Sequence, residues 1–193
     1  DLEKNLGLGD SNNIYFYADI NHFIPIIPNI RLERQELKTD GSKVTNVTFG
    51  GKNFSAGETK TDADLTQNDL TLYWGIPGLN IATAGILNID LGLNVKQYDG
   101  FVQLKNDTVN QNEKVDLDFI VPMGYLAVKI DPPFMPVTLS ASTKMISYEG
   151  SSLSDSIVKL SVDLPLPLDI IEFKLDIGYK HQKLDISKEL SDD

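Results

Sequence analysis

The chain has 193 residues, of which 41% are hydrophobic and 23% charged, and it carries a formal net charge of −11 with no cysteine. This length suits one domain over residues 1–193, and the apolar content is high enough for folding. The negative charge argues against a nucleic-acid-binding protein, and the lack of cysteine excludes disulfides, thiol catalysis and thiolate metal sites. No apolar run approaches the length of a membrane-spanning helix, and any signal peptide would lie upstream of Asp1.

Alternation of apolar and polar residues, the period of a β-strand, is the strongest pattern in the chain. It is clearest from Leu87 to Val95, where apolar residues occupy every odd position, and it returns in the segments 158–164 and 171–179. Helical spacing is hard to find, so we predict a nearly all-β chain. In chain order, the predicted strands are 12–23, 29–39, 65–75, 81–98, 115–130, 137–148, 155–164 and 168–184.

Two segments complicate this assignment. Residues 43–54 are compatible with a further hairpin arm inside the first polar connection. In the fifth strand, apolar residues occupy odd positions before Pro122 and even positions after it. This change of phase predicts a bulge or a break near Pro122.

The connections between the predicted strands are of two kinds. Short segments with proline alternate along the chain with longer stretches rich in Asp, Asn, Gly, Ser and Lys. Proline is excluded from central strand pairing and therefore marks turns, so the pattern predicts an antiparallel up-and-down meander. The short segments are 23–29, 76–80, 131–136 and 164–168, and the long ones are 40–64, 98–114 and 149–155.

A closed sheet with this alternation is either a soluble barrel with an apolar interior or an outer-membrane barrel with an apolar exterior. Short turns at one end and long loops at the other are typical of the membrane class. We therefore predict an antiparallel up-and-down transmembrane β-barrel with about eight strands in this chain. A soluble lipocalin-like barrel that binds a small apolar ligand is the alternative, and an outer-membrane enzyme of about ten strands is a third possibility.

Charged residues on the polar faces of the strands are nearly balanced in sign. In a narrow lumen such groups must pair, because an unpaired buried charge costs several kcal/mol. Most of the excess negative charge then falls at the long-loop end, which predicts acidic external loops. The acids are Asp90, Asp116, Asp118, Asp163, Glu172 and Asp176, and the bases are Lys96, Lys129, Lys159, Lys174 and Lys180.

Aromatic residues cluster near the predicted strand ends. They suit two interfacial girdles, and they suit ordinary core positions about equally well. The residues concerned are Phe23, Tyr73, Trp74 and Phe134 near the short turns, and Tyr98, Phe101 and Tyr148 near the long loops.

Both ends of the chain lie on the long-loop side in this scheme. Bacterial single-chain barrels have an even number of strands, and their termini usually lie on the short-turn side. We therefore expect the chain to be an excerpt of a barrel of about ten strands, lacking one strand at each end.

Five short segments of the chain carry a family resemblance. They are Asn21–Leu32 (NHFIPIIPNIRL), Asp69–Gly75 (DLTLYWG), Ile89–Gly100 (IDLGLNVKQYDG), Val121–Tyr125 (VPMGY) and Ile177–Lys180 (IGYK). With these segments the chain resembles a family of small proteobacterial outer-membrane β-barrel proteins of unknown specific function. The resemblance implies a signal peptide upstream, a closing strand downstream and an outer-membrane location, and it brings no catalytic residues.

Candidate chemistry is scarce. His22 and His181 are the only histidines, and neither has a nucleophile and an orienting group nearby in sequence. An EF-hand loop needs a glycine at its sixth position and a bidentate acid at its twelfth. The acidic segment that begins at Asp62 lacks both, and Tyr73 occupies its twelfth position. The glycosylation-like patterns at Asn46, Asn53 and Asn106 are taken as chance, and no phosphate-binding loop precedes a helix.

We therefore expect no enzyme activity and name no catalytic, cofactor-binding or metal-ligating residue. The expected role is structural or interactive, with a narrow polar lumen that does not conduct solutes freely. The expected location is the bacterial outer membrane. The expected partners are the lipid bilayer and lipopolysaccharide, with no nucleic acid and with protein partners unspecified.

Overall fold

The structure, a computed structural model, describes residues 14–21, 24, 26–44, 47–54, 57–164 and 173–185. Within these ranges the chain is almost entirely β, as predicted, with one short helix, α1 (Leu79–Ala82). The strands are β1 (Ile14–Ile20), β2 (Asn29–Glu36), β3 (Lys38–Val44), β4 (Val47–Phe49), β5 (Lys52–Phe54), β6 (Glu58–Gly75), β7 (Leu87–Asn106), β8 (Gln111–Ile130), β9 (Val137–Tyr148), β10 (Ser151–Leu164) and β11 (Phe173–Asp185).

From β6 to β11, strands that follow one another in sequence are neighbours in the sheet. The main sheet has nine strands in the order β1-β2-β6-β7-β8-β9-β10-β11, with β3 also paired to β6, and β4 and β5 form a separate two-stranded sheet. Where the register is defined the pairing is antiparallel, with Val158 opposite both Ala141 on β9 and Tyr179 on β11. The predicted all-β, antiparallel architecture is thus confirmed.

The predicted long polar loops are mostly strand, which corrects the sequence analysis. β7 extends to Asn106 and β8 starts at Gln111, and only Glu149 and Gly150 separate β9 from β10. Both of these residues have positive φ, as a tight hairpin turn requires. Backbone pairing does not need apolar side chains, so polar segments continued as hairpins where loops were expected.

Residues 40–64 show the same correction. They contain β3, the β4–β5 hairpin turning on Gly50 and Gly51, and the first part of β6. The hairpin arm considered for residues 43–54 is therefore present. By contrast, the Ile76–Ile86 connection at the opposite end is longer than the turns after β7 and β9. The loop-length asymmetry that favoured a membrane barrel was therefore wrong.

The predicted strand 81–98 begins later than expected because its first residues form α1 and a turn. Ala82 N donates to Gly78 O at 2.9 Å, and Thr83 N donates to Leu79 O at 3.0 Å. The Thr83 hydroxyl also accepts a hydrogen bond from Leu87 N at 3.1 Å, just where β7 starts.

No break occurs at Pro122. β8 runs without interruption from Gln111 to Ile130, and its odd-numbered residues remain the less exposed ones on both sides of the proline. Val115 and Leu117 are half-buried, and Tyr125 and Ala127 are buried on the same face. The apolar residues therefore move from one face of β8 to the other at Pro122, while the backbone alternation continues without a shift.

Two compact units divide the chain. Unit 1 comprises Asp1–Asp19, Arg31–Leu70 and Val95–Val121, and its apolar core consists of Phe54 and Leu104 packed with the partly buried Phe49 and Val102. Unit 2 comprises Ile20–Ile30, Thr71–Asn94 and Pro122–Asp193, and its buried apolar cluster is Tyr73, Tyr125 and Ala127.

Candidate functional site: an apolar exposed face and a polar buried face

The strands of unit 2 expose their large apolar side chains. On β7, Leu91 is 51% and Leu93 66% exposed, whereas Asp90 is 5% and Asn94 1% exposed. This is the reverse of a soluble sheet, which hides its apolar face. We call the exposed apolar side chains of the unit 2 strands the aliphatic face: Leu91, Leu93, Leu126, Ile130, Leu139, Met145, Val158, Leu160, Leu164, Leu175, Ile177 and Tyr179.

The same alternation holds on β10 and β11. Val158 and Leu160 are exposed, while Ser161 is buried and Lys159 half-buried. The orientation predicted for the alternating segments is therefore observed here, and on β7 it is observed for Leu91, Leu93 and Val95. Leu87 and Ile89, at the start of β7, are half-buried.

Ion pairs neutralise the charges on the less exposed face of unit 2. Lys129 Nζ lies 2.8 Å from Asp90 Oδ2 on the neighbouring strand. Across β10 and β11, Lys159 contacts Asp176 at 2.8 Å. The buried Asp155 carboxylate contacts Lys180 at 3.1 Å and lies opposite the buried Lys144 in the strand register. Pairing offsets the cost of removing these charges from water.

Unit 1 contains a deeply buried ion pair. Lys96 has a fully buried side chain, and its Nζ lies 2.7 Å from Asp69 Oδ2. The same ammonium group donates to Gln67 Oε1 at 3.1 Å. These charge-assisted hydrogen bonds satisfy the ammonium group inside the fold.

The predicted interior charges are thus partly correct. The pairs of Asp90, Asp176 and Asp163 with lysines are present, the last as Lys174–Asp163 at 3.1 Å near the surface. Asp116 and Asp118 were wrong, because they lie on the exposed face of β8 while its odd positions turn inwards. Glu172 lies outside the described residues.

Sequence reasoning missed five buried charges: Arg31, Glu33, Asp69, Lys144 and Asp155. Asp69 shares its odd parity with Thr71 and Tyr73, which are also buried, so extending the alternation back along β6 would have found it. Lys144 lies on a face of β9 that otherwise carries mainly serine and threonine, and Asp155 shares its face of β10 with Leu153 and Ile157, so the alternation near both residues is weak.

The aromatic residues are divided between the two faces. Tyr73 is buried against Tyr125, with ring centroids 5.7 Å apart, and Tyr98 is half-buried and stacks on Phe119 at 4.7 Å, so neither belongs to an exposed girdle. By contrast, Trp74, Phe134 and Tyr148 are exposed. Phe101 is half-buried beneath Lys114 and Phe23 lies outside the described residues.

The sequence offered two histidines and an acidic segment on β6 as candidate sites for chemistry. His181 is exposed and stacks on Tyr179, and His22 is outside the described ranges. Within those ranges no three His, Asp or Glu residues are grouped to hold a metal ion. On β6, the Asp64 carboxylate accepts hydrogen bonds from the amide and the hydroxyl of Thr66.

Surface hollows in unit 1 are lined mainly by charged and polar side chains. One includes Arg34, Asp64 and Asp116, and another includes Lys60 and Asp62. Charged, open hollows of this kind do not suit a small apolar ligand, whose sites are mostly apolar and enclosed.

Comparisons with known proteins give no match. No described helix has the length and apolar character needed to cross a membrane. No family model, no curated protein and no solved structure matches this chain.

Proposed function

We propose that this chain is the membrane-embedded part of a bacterial outer-membrane β-barrel with a structural or interaction role. One observation carries the proposal: on β7 of unit 2, Leu91 and Leu93 are exposed while Asp90 and Asn94 are buried. A large contiguous surface of aliphatic side chains is unfavourable in water, and the hydrocarbon of a bilayer removes that cost.

The length of the apolar segments fits a bilayer. Alternating apolar residues of β7 extend from Leu87 to Val95, and those of β9 extend from Val137 to Met145, with Thr143 as the one polar residue in the β9 series. Each segment has the ~9–11 residues with which a tilted strand crosses the hydrocarbon core. The closure of the sheet into a barrel and its total strand number belong to this proposal.

The exposed leucines favour this proposal over a soluble lipocalin-like barrel. In a lipocalin-like protein Leu91 and Leu93 would line an apolar ligand cavity, and Asp90 would face water. The observed positions are the reverse. The interior that we propose is polar and holds charges in pairs such as Lys129–Asp90, which favours a closed scaffold over an open pore.

The partner that the aliphatic face supports is lipid. The bilayer is the occupant of this surface in our proposal, and lipopolysaccharide, the expected lipid of the outer leaflet, remains a prediction. The resemblance to small proteobacterial outer-membrane proteins agrees with the same location and also remains a prediction.

Trp74 provides a direct test because it is the only tryptophan in the chain and its side chain is partly exposed. Purified chain is folded into phosphatidylcholine vesicles with or without bromine on the acyl chains. We expect the brominated lipid to quench Trp74 fluorescence strongly, and we expect unheated and heated samples to migrate differently in SDS gels. A chain that stays in solution without detergent, with Trp74 unquenched, would refute the proposal.

A further inference from the structure

The connections at one end of unit 2 expose large apolar side chains. Ile26 and Ile81 are each 87% exposed, and Phe134, which has a positive φ of 68°, is fully exposed beside the exposed Met135. We call the connections 24–28, 76–86 and 131–136, in their described parts, the turn surface. Turns that project into water normally carry polar residues, so these side chains need an explanation.

Hydrogen bonds hold these connections together at one end. Trp74 Nε1 donates to Ile26 O at 3.1 Å, which joins the first connection to the end of β6. Asp131 N donates to Ile86 O at 2.8 Å, which joins the second connection to the third. The exposed apolar side chains therefore belong to a single surface within unit 2.

Charged residues are nearly absent from this surface. The segments 20–30, 70–89 and 132–143 contain no Lys, Arg, Asp or Glu, although 23% of the chain is charged. The first two segments include the strand ends on both sides of their connection. The third begins after Asp131, the one charged residue of the turn surface, which is half-buried and accepts hydrogen bonds from Asn88 and Thr138. Solvated turns between strands have no reason to lack charge so consistently.

Backbone amides of the turn surface are largely satisfied within it. In the second connection, the amides of Ile76, Leu79 and Gly85 donate to backbone oxygens at 2.9, 3.3 and 2.7 Å, and so do those of Ala82, Thr83, Ala84 and Ile86. The third connection contains three prolines, which have no amide hydrogen to satisfy. A segment in contact with lipid needs this property, because lipid offers no hydrogen-bond partner.

We propose that the turn surface is a lipid-binding surface that lies in the bilayer instead of projecting into water. This inference rests on the proposed function and extends it, because it places lipid at the strand ends as well as along the strands. The surface is continuous with the aliphatic face through Trp74 and Ile130, both exposed. The near-absence of charge favours lipid over a protein partner, since protein interfaces normally have a polar and charged rim.

The absence of cysteine allows single-cysteine probes without background. Ile81→Cys and Phe134→Cys report on the turn surface, Leu93→Cys on the aliphatic face, and Asp107→Cys on the exposed turn between β7 and β8. Each variant is labelled with an environment-sensitive nitrobenzoxadiazole dye and folded into phosphatidylcholine vesicles. Quenching is measured with iodide present on both sides of the bilayer and, separately, with nitroxide-labelled lipid.

We expect iodide to quench the dyes at positions 81 and 134 several-fold less than the dye at position 107, and nitroxide lipid to quench them as strongly as at position 93. If position 93 is quenched by lipid while positions 81 and 134 are quenched by iodide, the turn surface faces water or a protein, and this inference is overturned while the proposed function stands. If position 93 also responds only to iodide, both fail. The same quenching at positions 81 and 134 would show that the result does not come from a local effect of one substitution.

Discussion

The two ends of β7 have opposite polarity. Near its start, Leu91 and Leu93 are exposed and Asp90 is buried, whereas near its end Leu104 is fully buried and Lys105 is exposed. The strand is continuous and its alternation does not slip between these positions. The backbone alternation is therefore the same at both ends, and only the residue types at the exposed and buried positions differ. This difference indicates that the two ends of β7 suit different surroundings.

β8 repeats this comparison with its own residues. Asp116 and Asp118 are exposed in unit 1, while Leu126 and Ile130 occupy the same exposed face in unit 2. A charged exposed face suits water, and an apolar exposed face suits lipid. Two strands that change polarity in the same sense support the proposal more strongly than one strand alone.

The largest expected effect comes from breaking the Lys96–Asp69 pair. We expect Lys96→Met to lower the free energy of unfolding by about 3–5 kcal/mol, because a carboxylate stays buried after its ammonium partner is removed. Urea unfolding in detergent micelles measures this. The control Lys105→Met, on the exposed face of β7, should change stability by less than about 0.5 kcal/mol. Equal losses of stability in Lys96→Met and Lys105→Met would contradict the assignment of Lys96 to a buried ion pair.

The apolar core of unit 1 gives the next effect. We expect Leu104→Ala to cost about 2–5 kcal/mol, because it leaves a cavity beside Phe54. Leu91→Ala is the matched control, since Leu91 lies on the same strand but is exposed. Unfolding of both variants in micelles compares the two ends of β7 directly. A larger loss of stability in Leu91→Ala than in Leu104→Ala would contradict the assignment of Leu104 to the core and of Leu91 to the surface.

A third prediction concerns the medium around Leu91. We expect Leu91→Lys to destabilise the chain in phospholipid vesicles by about 2–4 kcal/mol if the residue lies near the bilayer midplane. We expect the same for Phe173→Lys, although the Phe173 side chain lies outside the described part of the structure. Gln103→Lys, on the other end of β7, is the control. A neutral result for Leu91→Lys in vesicles would argue that water surrounds this face.

The smallest effect is expected at Asp107, in the exposed turn after β7. Hydrogen bonds from Lys105 and Lys60 lower the pKa of the Asp107 carboxyl below its ordinary value of 3.8. Since the folded-state pKa is lowered, this contribution to stability is present above pH 3.8 and is lost as the pH falls through the folded-state pKa. Carboxyl NMR titration should show the midpoint rising in Lys105→Met, and an unchanged midpoint would contradict the assigned cause.

Much of the secondary structure could be predicted from the sequence because β alternation is a local property. The strand 137–148 was predicted with the observed bounds of β9, and the alternation on β7 predicted that Leu91 and Leu93 share one face. Hairpin extension was missed because polar segments pair through their backbones, which side-chain hydropathy does not report. Of the candidate site, the placement of Asp90 and Lys129 on polar strand faces followed from parity, whereas their contact with each other and the burial of Asp155 required the pairing of neighbouring strands.

The sequence by itself determined the all-β class, the alternation of most strands and the scarcity of charge in three connections, because these depend on neighbours in the chain. Only the tertiary structure decided which face of each alternating strand is buried. Residues before and after Pro122 carry their apolar side chains on opposite faces of one uninterrupted strand, and the sequence pattern alone is equally compatible with a bulge. The packing of strands beside β8 distinguishes the faces, because burial is a property of neighbours that are distant in sequence.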